Sequence, residues 1–267
     1  MQRKLVIIGL ALSLVVCCLT GCNVAPTVSQ PTEAPVAAGK ITFAGSTTLQ
    51  PLAHELGEAF TEKYPDVELD IAAGGSTVGI RAIHDGTVDI GMASRSLKPE
   101  EEEGVEQHQV AVDVIALVLH TSNPVENLSV EQLRDIYLGE ITNWREVGGD
   151  DESILVIARG KNSGTRGAFD KIVLDKEDPA APGLKEAVTA GDMAAMVADN
   201  ANSIGYVGFG NLEPDIKMIT IDGVVPSEET AHDGSYPLTR PLLFLTGPLT
   251  QPLAFDFIEF ALSPDGQ

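Results

Sequence analysis

Three times in this chain an apolar, strand-like run gives way to a glycine, serine and threonine loop and then to a helix-like segment. The loops are Gly45-Ser46-Thr47-Thr48, Gly74-Gly75-Ser76-Thr77 and Ser163-Gly164-Thr165-Arg166. A chain that repeats strand, short loop and helix is driven toward layered α/β architecture, because neighbouring parallel strands need a crossover that a helix supplies. The loop chemistry adds a second constraint. Glycine lets backbone N–H groups approach a ligand, a helix N-terminus carries a partial positive charge, and the hydroxyls donate further hydrogen bonds. One Ser or Thr before a helix is explained as an N-cap. Three loops in matched contexts point to an anion.

The periodicity fills in the rest. Lys40 to Ala44 reads as a strand, and Leu49, Leu52, Ala53, Leu56 and Phe60 fall at helical spacing with Pro51 suited to a first turn. Val67, Leu69 and Ile71 alternate as a second strand, Ile80 and Ile83 belong to a short helix, and Val88, Ile90 and Met92 alternate as a third strand. This β-α-β-α-β order favours a parallel sheet with helices on both faces. Val110 to Leu119 is the longest apolar run, broken only by Asp113, and is long enough to join two domains. Ser129 and Gln132 form a capping box ahead of Leu133, Ile136 and Tyr137. Ile154 to Ala158 is a strand, Thr165 to Leu174 a helix, and Met193, Met196 and Val197 mark another helix. Ile204 to Val207 and Leu238 to Thr246 are strand-like, and Leu253 to Leu262 is a final amphipathic helix. Ligands of open α/β sheets bind beyond the carboxyl ends of strands, where all three loops fall.

The start of the chain reads differently. Arg3 and Lys4, the apolar run Leu5 to Val16 and the ending Leu19-Thr20-Gly21-Cys22 form an export signal, with an apolar stretch shorter than a spanning helix needs. Residues 23–39 are proline-spaced and polar, a tether. The only cysteines are Cys17, Cys18 and Cys22, so cleavage before Cys22 leaves one thiol and no internal disulfide. Losing Arg3 and Lys4 takes the net charge from −22 to −24, which argues against nucleic acid as a partner. The sign reverses locally, because Arg81, Arg95, Arg159, Lys161 and Arg166 lie in or near the loops or the Asp89 to Ser96 turn.

Together these segments resemble the phosphate-binding lipoproteins of bacterial ABC uptake systems, within the type II periplasmic-binding-protein fold. The resemblance runs from Lys40 onward. It is carried by Gly45-Ser46-Thr47-Thr48-Leu49-Gln50-Pro51, Gly74-Gly75-Ser76-Thr77, Asp89-Ile90-Gly91-Met92-Ala93-Ser94-Arg95, Asp135-Ile136-Tyr137, Asn143-Trp144, Arg159 with Ser163-Gly164-Thr165-Arg166, Gly205-Tyr206-Val207 and Tyr236-Pro237-Leu238. It implies two α/β lobes, each a mostly parallel sheet flanked by helices, joined by two crossing segments. Lobe 1 would comprise 40–112 and 235–267, and lobe 2 would comprise 113–234. The family's ligand contacts carry over to Ser46, Thr47, Thr48, Ser76, Ser94, Arg95, Arg159, Ser163, Gly164 and Thr165. The Leu-Thr-Gly-Cys ending resembles a lipobox, which implies a diacylglyceryl-modified Cys22 and a lipid-anchored, extracytoplasmic monomer. The implied partners are inorganic phosphate and ABC permease subunits, with no cofactor and no metal.

Two alternatives stay open at this point. Well-known relatives place an aspartate, which accepts the hydrogen-phosphate proton, where this chain has Arg95; a site without that acceptor suits sulfate or molybdate as well. A phosphoryl-handling enzyme is the other reading, but neither Gly-x-x-x-x-Gly-Lys-Ser/Thr nor Gly-x-Ser-x-Gly is present. His54, His84, His108, His120 and His232 are scattered without ligand or triad spacing. Asp89 reads as a strand or capping residue, Trp144 and Tyr206 as core or hinge packing, and Glu100 to Glu103 as a solvated helix start.

Overall fold

A computed structural model describes residues 38–267. The expected signal peptide, Cys22 and the tether up to residue 37 lie outside the described residues. Among those described, no helix is long and apolar enough to cross a membrane.

The first third of the described chain alternates as β1 (Gly39–Gly45), α1 (Gln50–Lys63), β2 (Val67–Ala73), α2 (Ser76–His84) and β3 (Ile90–Ala93). Both helices begin directly after a strand-end loop. Pro51 occupies the first turn of α1, where its missing N–H costs nothing, and Ala53, Leu56 and Phe60 turn one stripe of that helix into the core. The long β4 (Glu106–His120) follows, then β5 (Asn127–Leu128) and α3 (Val130–Leu138). The capping box of α3 forms as its sequence demands. Gln132 N–H donates to Ser129 Oγ at 3.0 Å and Ser129 N–H to Gln132 Oε1 at 2.9 Å, and Gly139 ends the helix at φ 84°.

The chain continues through β6 (Leu155–Arg159), α4 (Gly164–Ile172), β7 (Lys185–Ala187), α5 (Ala190–Ala198), β8 (Ser203–Gly208), β9 (Ile216–Met218) and β10 (Thr220–Ile221). It closes with α6 (Glu228–His232), β11 (Thr239–Thr246) and α7 (Pro252–Leu262). The short strands β5, β7, β9 and β10 and the helix α6 have too few residues to show a period, so the sequence does not announce them.

Nine strands form one sheet in the order β2-β1-β3-β11-β4-β8-β6-β7, with β9 also on β4. At one end β1 lies parallel to β2 and β3; at the other β6 lies parallel to β7 and β8. The middle differs from a simple parallel sheet. The two long apolar runs, β4 and β11, pair antiparallel with each other and with their neighbours, so the connecting segments are themselves strands of the sheet. Their register slips between Leu242 and Leu243, a bulge that bends the ladder.

The apolar interior divides along those same two strands. Val110, Leu242 and Phe244 pack with Phe43, Phe60 and Phe257 in one cluster, where Phe43 and Phe257 meet edge to face at 5.1 Å. Val114 to Leu119 and Leu238 pack with Tyr137, Trp144, Phe169 and Tyr206 in another. Ile80, Ile83 and Leu97 fill a third, smaller cluster with Leu243 and Leu245. β4 therefore leaves one core and enters the next within a few residues, while β11, entered from Leu238 in the second core, alternates between the first and the third.

Candidate anion-binding site

Local sterics put the loops where they are. Gly45 ends β1 at φ 136°, and a Cβ there would stand 2.3 Å from Met92 O and 3.0 Å from Gly79 Cα. Only glycine lets α2 lie that close to the ends of β1 and β3. The N-termini of α1, α2 and α4 consequently open onto the same region. Ser46 Oγ accepts from Thr48 N–H at 3.2 Å, and Ser163 Oγ caps α4 by accepting from Arg166 N–H at 3.2 Å.

The sequence-predicted residues come together from both ends of the sheet. Ser46, Thr47, Thr48, Ser76, Ser94, Arg95, Arg159, Ser163 and Thr165 are all buried, as is Gly164. Thr48 Oγ1 lies 3.1 Å from Thr165 Oγ1, and Ser76 Oγ lies 3.3 Å from Ser94 Oγ, also accepting from Ser94 N–H at 3.0 Å. Thr77 N–H donates to Asn162 O at 3.2 Å, which joins the second loop to the third. A Cβ on Gly164 would fall 2.1 Å from Ser76 Oγ and 2.6 Å from Ser94 Oγ. Glycine at that position lets the loops touch.

Arg159 closes the arrangement. Its guanidinium donates to Thr47 Oγ1 at 3.0 Å, to Ala187 O at 3.2 Å and to Val188 O at 3.0 Å, and its N–H donates to Tyr206 Oη at 3.1 Å. Tyr206 is fixed in turn by stacking on Phe169 at 4.2 Å and 11°. Every one of these partners is neutral. Among the described residues Arg159 has no carboxylate, although it is only 1% exposed. Burial, reinforced by the nearby Arg240 cation, lowers its pKa to about 10, so the side chain stays charged at neutral pH.

The other three buried guanidiniums are compensated. Arg95 makes a two-pronged bond to Glu101 at 2.7 and 2.9 Å, with a longer contact of 3.5 Å to Thr77 Oγ1. Glu101 is thus more than a solvated helix start. Burial pushes its carboxyl up, but the Arg95 guanidinium outweighs that and holds it below the usual carboxylate range. Arg166 donates to Asp170 at 2.6 Å, to Asp178 at 2.8 Å and to Arg159 O at 2.8 Å. Lys161, which follows β6, reaches Asp178 at 2.9 Å instead of the loops.

Arg240 and Asp113 are the residues that sequence reasoning missed. Arg240, on β11, donates to Asp113, on β4, at 2.7 and 2.9 Å, and reaches Thr48 Oγ1 at 3.4 Å and Ser94 O at 3.3 Å. This ion pair ties the two crossing strands to the first loop and the end of β3. One signal was present: Asp113 is the single charge in the longest apolar run, and a buried carboxylate needs a partner. Asp89 proves structural, accepting from Thr42 N–H at 2.8 Å and Thr42 Oγ1 at 2.7 Å. Trp144 is buried and donates to Asn202 O at 2.9 Å.

Chemically, the arrangement gathers hydroxyls of three strand-end loops into mutual contact and bonds the first of those loops to the Arg159 guanidinium, which has no carboxylate partner among the described residues. Among the described residues, no three or more His, Cys, Asp or Glu side chains are grouped to hold a metal.

Known proteins resemble this chain in sequence and fold. The family model described as a PBP superfamily domain matches residues 29–265. A phosphate-binding protein PstS of Bacillus subtilis is 34% identical over 237 residues, covering 86% of this chain and 78% of its own. A Pseudomonas aeruginosa phosphate-binding protein PstS is 29% identical over 91% of this chain and 84% of its own. Among solved structures, a Clostridium perfringens chain described as a phosphate ABC transporter substrate-binding protein with bound phosphate superposes with a TM-score of 0.84, at 38% identity over 86% of this chain and 95% of that one. A Vibrio cholerae ABC-type phosphate transport receptor gives 0.70 at 32% identity, over 84% of this chain and 94% of that one. With its mixed α/β sheet, flanking helices and strand-end loops, the chain belongs to the PBP superfamily and, within it, to the PstS phosphate-binding proteins.

Proposed function

We propose that this protein captures inorganic phosphate in the cleft between its two ends and presents it to an ABC transporter. The observation that carries the reading is Arg159, a buried cation with no carboxylate partner among the described residues, bonded to the first of three Gly/Ser/Thr loops that touch one another. Removing a guanidinium from water is costly unless a counter-charge arrives, and a bound oxyanion is that counter-charge. The names of the relatives supply the ligand and the transporter.

In this reading Ser46, Thr47, Thr48, Ser76, Ser94 and Arg95 serve from lobe 1, residues 40–112 and 235–267. Arg159, Ser163, Gly164 and Thr165 serve from lobe 2, residues 113–234. Hydrogen bonds to a charged group contribute about 1.5–3 kcal/mol each, so a handful supply the ~8 kcal/mol of micromolar binding after ordering costs. Lobe closure excludes water and strengthens each contact. Binding involves no chemistry, and a phosphatase assay is expected to show no turnover. The anchor in this proposal is a lipid on Cys22, and the working form is a monomer facing the outside of the membrane with permease subunits as partners.

A specific observation widens the ligand class. Among the described residues no carboxylate is hydrogen-bonded to the site hydroxyls, because Asp113 is taken by Arg240 and Glu101 by Arg95. A proton on phosphate then lacks the strong acceptor that would set it apart from sulfate. Competition calorimetry with phosphate, arsenate, sulfate and molybdate tests both parts. The expected result is one phosphate per chain with measurable competition by excess sulfate. Absence of phosphate binding would overturn the function, and complete indifference to sulfate would overturn the selectivity argument.

A further inference from the structure

Next to the loops lies a cavity of about 600 Å³ whose charge opposes that of the molecule around it. Of the chain's 17 basic residues, seven line this cavity, against two of its 39 acidic residues. Arg95, Arg166 and Arg240 form its inner wall and are already paired with Glu101, Asp170 and Asp113. Lys161 is bonded to Asp178. Lys98, Lys171 and Lys176 line the cavity, are exposed, and form no ion pair among the described residues. The basic charge that is not held in an ion pair therefore sits on side chains open to water, not on the buried wall, although Lys98 also stands close enough to Glu101 to help hold its carboxyl low.

We propose that this cavity is an electrostatic vestibule that draws the oxyanion to the cleft, with Lys98, Lys171 and Lys176 as its steering charges. The proposal rests on the phosphate reading above. The cavity spans the cleft, because Lys98 follows β3 on one side while Lys171 and Lys176 belong to α4 and the turn after it on the other. It borders the proposed site, sharing Thr77 with the second loop, Ser163 and Arg166 with the third, and Arg95 with the proposed ligand set, and it extends from there to the exposed lysines.

A net charge of −22 repels a phosphate anion from most of the surface, so unguided encounter is slow. Screening limits each charge to about 8 Å at physiological salt, which makes the local sign at the cleft decisive over the global sum. Low-dielectric walls lined by one sign focus the field and raise association rates by roughly 10- to 1,000-fold in favourable cases. A lysine ammonium is a hydrated point charge on a flexible stem, suited to passing an anion inward. Buried arginines with fixed partners do not perform that task.

The test is the association rate of radiolabelled inorganic phosphate, measured by rapid mixing and filtration on the full chain. The variants are Lys98→Gln/Lys171→Gln/Lys176→Gln and a control, Lys40→Gln/Lys63→Gln/Lys185→Gln, with the same change in net charge elsewhere. The cavity variant is expected to associate about threefold to tenfold more slowly at low ionic strength, with dissociation nearly unchanged. That deficit should close toward 1 M salt, where screening acts within about 3 Å, and the control should associate like the wild type. Equal rates for the cavity variant and wild type would overturn the vestibule. So would a loss carried by faster dissociation, which would make the lysines ligands, or an equal loss in the control. A wild-type chain that binds no phosphate would instead overturn the phosphate reading. Thermal unfolding of all three proteins checks that the exposed substitutions leave the fold intact.

Discussion

Gly164 shows how little room separates the third loop from Ser76 and Ser94. Because a Cβ there would lie 2.1 Å from Ser76 Oγ, Gly164→Ala pushes the third loop off the second without adding charge or removing a donor. Phosphate affinity is expected to fall at least tenfold, with a loss of about 1–3 kcal/mol in stability from the overpacked contact, measured by calorimetry and urea denaturation. An unaltered affinity would mean that the loops need not meet to hold the anion. Arg95 and Glu101 make a prediction in pH. Glu101 titrates below its ordinary range when folded, so its contribution to stability is full above the unfolded value of about 4.3 and is lost as pH falls through the folded value. Wild type and Glu101→Gln should therefore differ in urea midpoint at neutral pH and converge under acid; a constant gap would show that the ion pair with Arg95 is not the cause.

Among the elements, β4 and β11 carry the most consequence, since β4, and the chain from Leu238 into β11, leave one apolar cluster and enter another on either side of the Asp113 and Arg240 pair. Removing one member of a buried pair strands the other charge. Asp113→Ala should cost about 3–5 kcal/mol in urea unfolding and weaken phosphate binding through Thr48, which Arg240 contacts. Replacing both by apolar residues of similar volume should restore most of the stability while the binding deficit remains. If the single variant unfolds like wild type, the pair does not hold the crossing strands.

Elements with a full period or a cap are legible in the sequence alone: the first β-α-β-α-β unit, the Ser129 box and the two long apolar runs. What the sequence could not show was pairing at a distance. Nothing local in Val110 to Leu119 or Leu238 to Thr246 says that they lie antiparallel in a single continuous sheet, and two- or three-residue strands such as β5 and β10 exist only because a partner lies beside them. The loops themselves were readable because Gly, Ser and Thr have few other reasons to recur at strand ends. Arg240 was not, since its role depends on a carboxylate 127 positions away.

For the whole molecule, the proposal is one anion held between two lobes by Arg159, a buried cation with no carboxylate partner among the described residues. Calorimetric titration of the full chain and of Arg159→Ala with inorganic phosphate tests that most directly. The wild type should bind one phosphate per chain, and the variant should bind at least tenfold more weakly while unfolding as a single cooperative unit. Equal affinity in the two proteins would contradict it.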